Sequence, residues 1–169
     1  MPTKPQLVFL HGLESGPHGS KYRLLAGLGL GEVLSPDCKG LDDPSERLRI
    51  IEAALADRNH LVLVGSSFGG LMALLYVARH PQQVAGVVLC APAVHRPNLP
   101  QPADLPGSLV ARVLHGRGDE VVPLAAVVAY CEAQALPLTL VDDAHRLADS
   151  HVELERLVRE VVGVVGGAG

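Results

Sequence analysis

Tryptophan is absent from the sequence, and two phenylalanines and three tyrosines are its only aromatic residues. A core without large rings must be filled by Val, Leu and Ala, the mixture of buried parallel strands covered by helices. Basic residues are not in excess either, since 14 lysines and arginines stand against 18 aspartates and glutamates for a formal net charge of -4. With neither a basic stripe nor aromatic rings interleaved with basic residues, nucleic acid and anionic membrane are not expected as partners. No apolar run approaches the ~18 residues of a membrane span, and Met1 to Leu10 holds a four-residue apolar run, too short for a signal peptide. The expected location is therefore cytoplasmic. Cys38, Cys90 and Cys131 are odd in number, far apart and without metal-ligand spacing, so they read as reduced core thiols. No His, Cys and carboxylate set has zinc spacing, and no metal is expected.

What remains is apolar. Hydrophobic residues make up 48% of 169 positions, enough for one domain over residues 1–169 without disulfide or metal staples. Short β-rich runs alternate with longer helical patterns. The strand candidates are Gln6 to Leu10, Val33 to Ser35, Leu61 to Val64, Val84 to Cys90, Leu109 to Leu114 and Leu138 to Val141. Helical spacing is expected over Ser20 to Gly27, Pro44 to Asp57, Ser67 to His80, Val122 to Ala135 and Ala148 to Val162. This alternation predicts an α/β fold of about six mostly parallel strands with helices on both faces. Asp43-Pro44-Ser45-Glu46 reads as a helix start, and His80-Pro81 as a helix end. Gly166 to Gly169 reads as a frayed tail. The segment Ala91 to Gly107 holds five prolines, which exclude a helical cap there.

One motif stands out. Gly65-Ser66-Ser67-Phe68-Gly69-Gly70 follows the run Leu61-Val62-Leu63-Val64 and opens a helical pattern, so it places a serine on a strand-to-helix corner. Only Ser67 has glycine two residues away on both sides, which is the spacing of a nucleophile elbow, where strand and helix meet closely. In open α/β sheets reactive groups gather after the carboxyl ends of strands. Four such junctions carry suggestive residues: His11-Gly12-Leu13, Ser67, His115-Gly116-Arg117-Gly118-Asp119, and Asp142-Asp143-Ala144-His145. For an acid, Asp119 competes with Glu120, Asp142 and Asp143. For a base, His145 competes with His151, which falls inside the last helical pattern. His11 and His115 read as imidazoles that buttress their own loops, and His18, His60, His80 and His95 read as surface residues.

Taken in order, these stretches resemble the α/β-hydrolase superfamily along nearly the whole chain, most closely the small lidless bacterial serine esterases of the YqiA type. The matching text is Leu7-Val8-Phe9-Leu10-His11-Gly12, the Ser67 motif, His115 through Pro123, and His145-Arg146-Leu147. The resemblance implies a single α/β-hydrolase domain without a cap domain, lacking the antiparallel edge hairpin with which relatives begin. It assigns Ser67 as nucleophile, Asp119 as acid and His145 as base, in the Ser, Asp, His chain order of that superfamily. It further implies an oxyanion hole formed by the backbone N–H groups of Leu13 and Phe68. The activity implied is hydrolysis of an ester or thioester of a small acyl compound, with no cofactor. Amidase and acyltransferase chemistry would use the same residues.

Several local expectations follow. Glu14, beside Leu13, should point outward, because a carboxylate aimed at an oxyanion would weaken catalysis. His18, in the loop Ser15 to Ser20, is a candidate substrate contact. Val94, Leu99 and Leu105 read as surface packing, with an acyl pocket as the alternative. A noncatalytic binding scaffold is the competing class, and the complete serine, acid and base positions argue against it. A nucleotide-binding protein is a third. Gly12, Gly16 and Gly19 fit neither a dinucleotide nor a P-loop spacing.

Overall fold

The computed structural model describes residues 3–167. Its strands are β1 (Gln6–Leu10), β2 (Val33–Leu34), β3 (Leu61–Ser66), β4 (Val84–Cys90), β5 (Val110–Gly116) and β6 (Leu138–Val141). Its helices are α1 (Ser20–Ala26), α2 (Pro44–Leu55), α3 (Phe68–Arg79), α4 (Leu124–Gln134) and α5 (His151–Gly167). The strands form one sheet in the order β2-β1-β3-β4-β5-β6, and every pairing is parallel.

Strand alternation divides the core into two layers. Val8 and Leu10 of β1, Leu61 and Leu63 of β3, and Val87 and Leu89 of β4 face a layer filled by α2, α3 and α4. Leu7, Phe9, Val62, Val64, Val88 and Cys90 face the opposite layer, closed by Leu25 of α1 and by Leu154, Leu157, Val158 and Val161 of α5. Helices thus cover both faces, as the near-continuous apolar runs of the strands require. All three cysteines are buried and unpaired.

Punctuation in the sequence is used as read. The Asp43 side chain accepts a hydrogen bond from Glu46 N at 3.2 Å, and Pro44 opens α2. Between Ala91 and Leu109 there is no helix, so no cap domain stands on the sheet. Most boundaries shift by one or two residues from expectation, and three of the differences have a visible cause or consequence. The last helix begins at His151 rather than Ala148, because Asp143 and the turns at Leu147 and Ser150 hold residues 144–150 in a loop. It then runs to Gly167, so Gly166 and Gly167 belong to α5 and not to a frayed tail; Ala168 and Gly169 lie outside the described residues. Helix α4 starts at Leu124, after Pro123, because Val122 is drawn into the loop that holds Asp119.

The chain leaves β1 toward β2 on one side and returns to β3 on the other, so the strand order reverses between β1 and β3. A crevice opens at the carboxyl ends of the strands at such a reversal. The candidate residues are brought together there.

Candidate active site

Ser67 stands between β3 and α3 with φ 57° and ψ −115°, a backbone conformation that a non-glycine residue adopts only when its surroundings enforce it. The enforcement is visible. Ser67 N donates to Cys90 O at 2.8 Å, while Ser67 O accepts from Gly70 N at 2.9 Å and Ala93 N at 3.0 Å. Close approach of α3 to the sheet explains the glycines. A Cβ on Gly65 would lie 2.5 Å from Gly69 O, and one on Gly69 would collide with the Leu10 carbonyl.

Three side chains from three separate loops are hydrogen bonded in series. His145 Nε2 lies 3.0 Å from Ser67 Oγ, and His145 Nδ1 lies 2.8 Å from Asp119 Oδ2. A carboxylate only accepts, so Nδ1 carries the proton and the Nε2 lone pair is left to accept from the Ser67 hydroxyl. The His145 side chain is 22% exposed and that of Asp119 is fully buried. Burial pushes the Asp119 carboxyl up, but hydrogen bonds from His145, Val122 N and Val121 N outweigh it, and the net shift is downward. Both backbone bonds to Oδ1 are 2.8 Å long. An alcohol, an imidazole and an ionised carboxylate in this order can move a proton off the alcohol as it attacks.

The rival acids and bases have other partners. Asp143 accepts from Ala144 N, Asp149 N and Ser150 Oγ, which shapes the loop carrying His145. Glu120 and Asp142 are exposed, and His151 is the first residue of α5. His115 is fully buried, and its Nε2 donates to Val122 O at 3.1 Å, behind Asp119. Burial lowers its pKa. It buttresses, as expected, and so does His11. His11 Nε2 accepts from Cys38 N at 2.9 Å, so Nδ1 bears the proton and donates to Gly12 O at 2.8 Å. Burial lowers the His11 pKa as well.

A cleft of about 470 Å³ opens beside Ser67, lined by Leu13, Phe68, Leu99, His95, His145 and Arg146 among others. Leu13 and Phe68 both line it. Phe68 is the first residue of α3, and its N–H has no acceptor within the helix. A Cβ on Gly12 would lie 3.6 Å from Ser67 Cβ, which shows how closely the Leu13 loop passes over the serine. Glu14 is exposed at the cleft rim. His18 is exposed and packs on Tyr22 with ring centroids 4.6 Å apart and planes tilted by 56°, and it is not part of the cleft lining. Leu105 packs on the core and Leu99 reaches both core and cleft.

Three site residues were not foreseen. His95 is a correction: it is half-buried and lines the cleft, its Nδ1 buried without a partner among the described residues, and burial lowers its pKa. Arg47 is 1% exposed. Its guanidinium donates to Leu41 O at 2.6 Å, His11 O at 2.8 Å and Gly12 O at 3.1 Å, and lies 5.0 Å from the Phe68 ring centroid. It thus ties down the loop before Leu13 and touches Phe68. Lys21 is buried at the cleft, donating to Arg146 O at 2.8 Å, next to His145. A signal existed for both: Arg47 precedes the buried Ile51, and Lys21 the buried Leu25, by four residues on the inward stripe of their helices. Of the other histidines read as surface, His80 is part-buried against Glu52 at 2.8 Å and His60 is half-buried.

Among the described residues no three His, Cys, Asp or Glu side chains could share a metal ion, and no helix is long and apolar enough to cross a membrane.

Comparison with known proteins agrees with the geometry. The family model described as serine aminopeptidase, S33 matches residues 39–148. A solved structure from Xanthomonas campestris pv. campestris, described as a hydrolase of the alpha/beta superfamily, is 28% identical with a TM-score of 0.81, covering 96% of this chain and 99% of that one. Mouse alpha/beta hydrolase domain-containing protein 10 is 16% identical with a TM-score of 0.79, over 98% and 92% of the two chains. A Bacillus cereus carboxylesterase is 19% identical with a TM-score of 0.72, over 95% and 90%. The last two share the fold. No curated protein matches the chain.

Proposed function

This chain belongs to the serine aminopeptidase S33 family within the α/β-hydrolase superfamily, and on that premise we propose a serine hydrolase that cleaves carboxylic esters or thioesters of small acyl compounds. Within that reading, its motifs resemble those of the small lidless esterases of the YqiA type. The observation that carries the reading is the unbroken series from Asp119 through His145 to Ser67, at 2.8 and 3.0 Å.

Ser67 Oγ attacks the acyl carbon while its proton passes to His145 Nε2. Asp119, bonded to Nδ1, stabilises the imidazolium so formed. The carbonyl electron pair moves to oxygen, where the N–H groups of Leu13 and Phe68 hold the oxyanion; one such donor is worth ~3 kcal/mol of barrier. The amino end of α3 adds positive potential at Phe68. Collapse breaks the bond to the alcohol or thiol, which leaves with the His145 proton. Water then gives its proton to His145 and attacks the acyl-serine, and the acid departs with Ser67 restored. The strained corner at Ser67 supports its role as nucleophile.

The uncapped cleft suits short acyl chains. The family's description names peptidases, but an aminopeptidase must seat a substrate ammonium, and this cleft sets Lys21, Arg96 and Arg146 against Glu14. Repulsion of a like charge favours the ester reading. Hydrolysis of p-nitrophenyl butyrate tests it: the wild type should turn over, and Ser67→Ala should lower kcat at least ~1,000-fold. Undiminished turnover by Ser67→Ala would defeat the reading.

A further inference from the structure

Resting on that hydrolase reading, we infer that the substrate is an anionic ester or thioester, its carboxylate or phosphate held in the cleft by Lys21 and Arg146 with a contribution from Arg96. The whole chain carries a net charge of -4, yet the cleft lining reverses that sign. Its ionised side chains are Lys21, Arg96 and Arg146 against Glu14; the Asp119 carboxylate stands behind His145 and does not line the cleft.

Lys21 is the centre of the argument. It is 9% exposed, and among the described residues no carboxylate lies within 4.0 Å of its ammonium. Among the described residues the ammonium's only hydrogen bond is to Arg146 O at 2.8 Å. An ammonium has three donors, so two N–H groups and a full charge are left without a protein partner beside the cleft. A buried cation is costly unless it is paired. Asp143 is within electrostatic reach of Lys21, but its oxygens accept from Ala144, Asp149 and Ser150. Arg96 and Arg146 are exposed and form no ion pair among the described residues. His95 adds the buried, unpartnered Nδ1 on the same lining. An anionic group on the substrate supplies the missing counter-charge, while its ester carbon reaches Ser67 in the same cleft.

Two matched pairs of substrates separate a carboxylate on the acyl side from phosphates on the leaving group. The first is the mono-p-nitrophenyl ester of adipic acid against p-nitrophenyl hexanoate; the second is butyryl-CoA against the butyryl thioester of N-acetylcysteamine. The charged member of at least one pair should have a kcat/KM roughly tenfold or more above its neutral match, shrinking as ionic strength rises. Lys21→Met and Arg146→Ala should each lower that charged-to-neutral ratio severalfold, whereas a purely structural role would slow both members and leave the ratio unmoved. Calorimetric binding of the same compounds to Ser67→Ala removes any dependence on turnover. Tighter binding of the charged member supports the inference even if neither ester is cleaved, a result that would count against the hydrolase reading alone. Equal or weaker binding and turnover of the charged members in both pairs would overturn it.

Discussion

Replacing Arg47 by methionine tests whether a buried cation holds the Leu13 loop, the proposed source of an oxyanion donor, in place. Methionine keeps a flexible stem of similar course, so the change removes the guanidinium more than the volume. Three hydrogen bonds vanish, to Leu41 O, His11 O and Gly12 O, along with the contact to the Phe68 ring. Bonds from a charged donor contribute roughly 1.5–3 kcal/mol each, the cost of the stranded carbonyls included, so about 5–9 kcal/mol is lost. Against this, the variant no longer has to desolvate a guanidinium that has no ion-paired carboxylate among the described residues, a relief of several kcal/mol. The balance is a destabilisation of about 2–4 kcal/mol, or roughly 5–15 °C in Tm for a chain of this size. Because the chain has no tryptophan, far-ultraviolet circular dichroism is the suitable readout. Below both transitions, kcat for p-nitrophenyl butyrate should fall about 10- to 100-fold, short of the ~10²–10³-fold cost of losing an oxyanion donor outright. KM should change less, since an oxyanion donor acts on the transition state. Arg47→Lys, a point charge without the planar fork, should fall between. A variant with wild-type Tm and kcat would refute the role given to Arg47.

Asp119→Asn should keep the fold yet lower kcat about 10³- to 10⁴-fold, because an amide in that position favours the wrong His145 tautomer; steady-state kinetics within tenfold of wild type would contradict the role of the carboxylate. Stability should also depend on pH with a definite sign. His11 and His115 have lowered pKa values in the folded state, chiefly from burial, so the unfolded chain binds protons that the folded chain refuses. Their contribution is complete above the unfolded value of about 6.5 and is lost as pH falls below it. Asp119 and Asp143, also lowered once their accepted hydrogen bonds outweigh burial, lose theirs below roughly pH 4. Tm measured from pH 8 to 5 should hold until about 6.5 and then decline; a flat or rising curve would contradict the assignment.

How far the sequence could be read depended on periodicity. The six strands and five helices were legible because apolar residues recur in them at regular spacing; Ser67, Asp119 and His145 were candidates because each lies just after a strand end, and the family resemblance chose Asp119 and His145 over their rivals. Lys21, Arg47 and His95 were harder. The first two occupy inward positions on α1 and α2, where a basic residue looks like an interruption of the apolar stripe. Their purpose appears only when the backbone carbonyls of Arg146, His11 and Gly12 are folded against them. His95 lies in a proline-rich loop without periodicity, so nothing local told which way it faced. The delayed start of α5 has a similar origin, since Asp143 holds the 144–150 loop through bonds to Asp149 and Ser150.

The most direct test of the whole account is the site of covalent capture by a fluorophosphonate. Mass spectrometry of the treated protein should show a single adduct, mapped to Ser67, present in the wild type and lost in both Ser67→Ala and His145→Ala. An unmodified wild type, or an adduct on another residue that persists in Ser67→Ala, would contradict it.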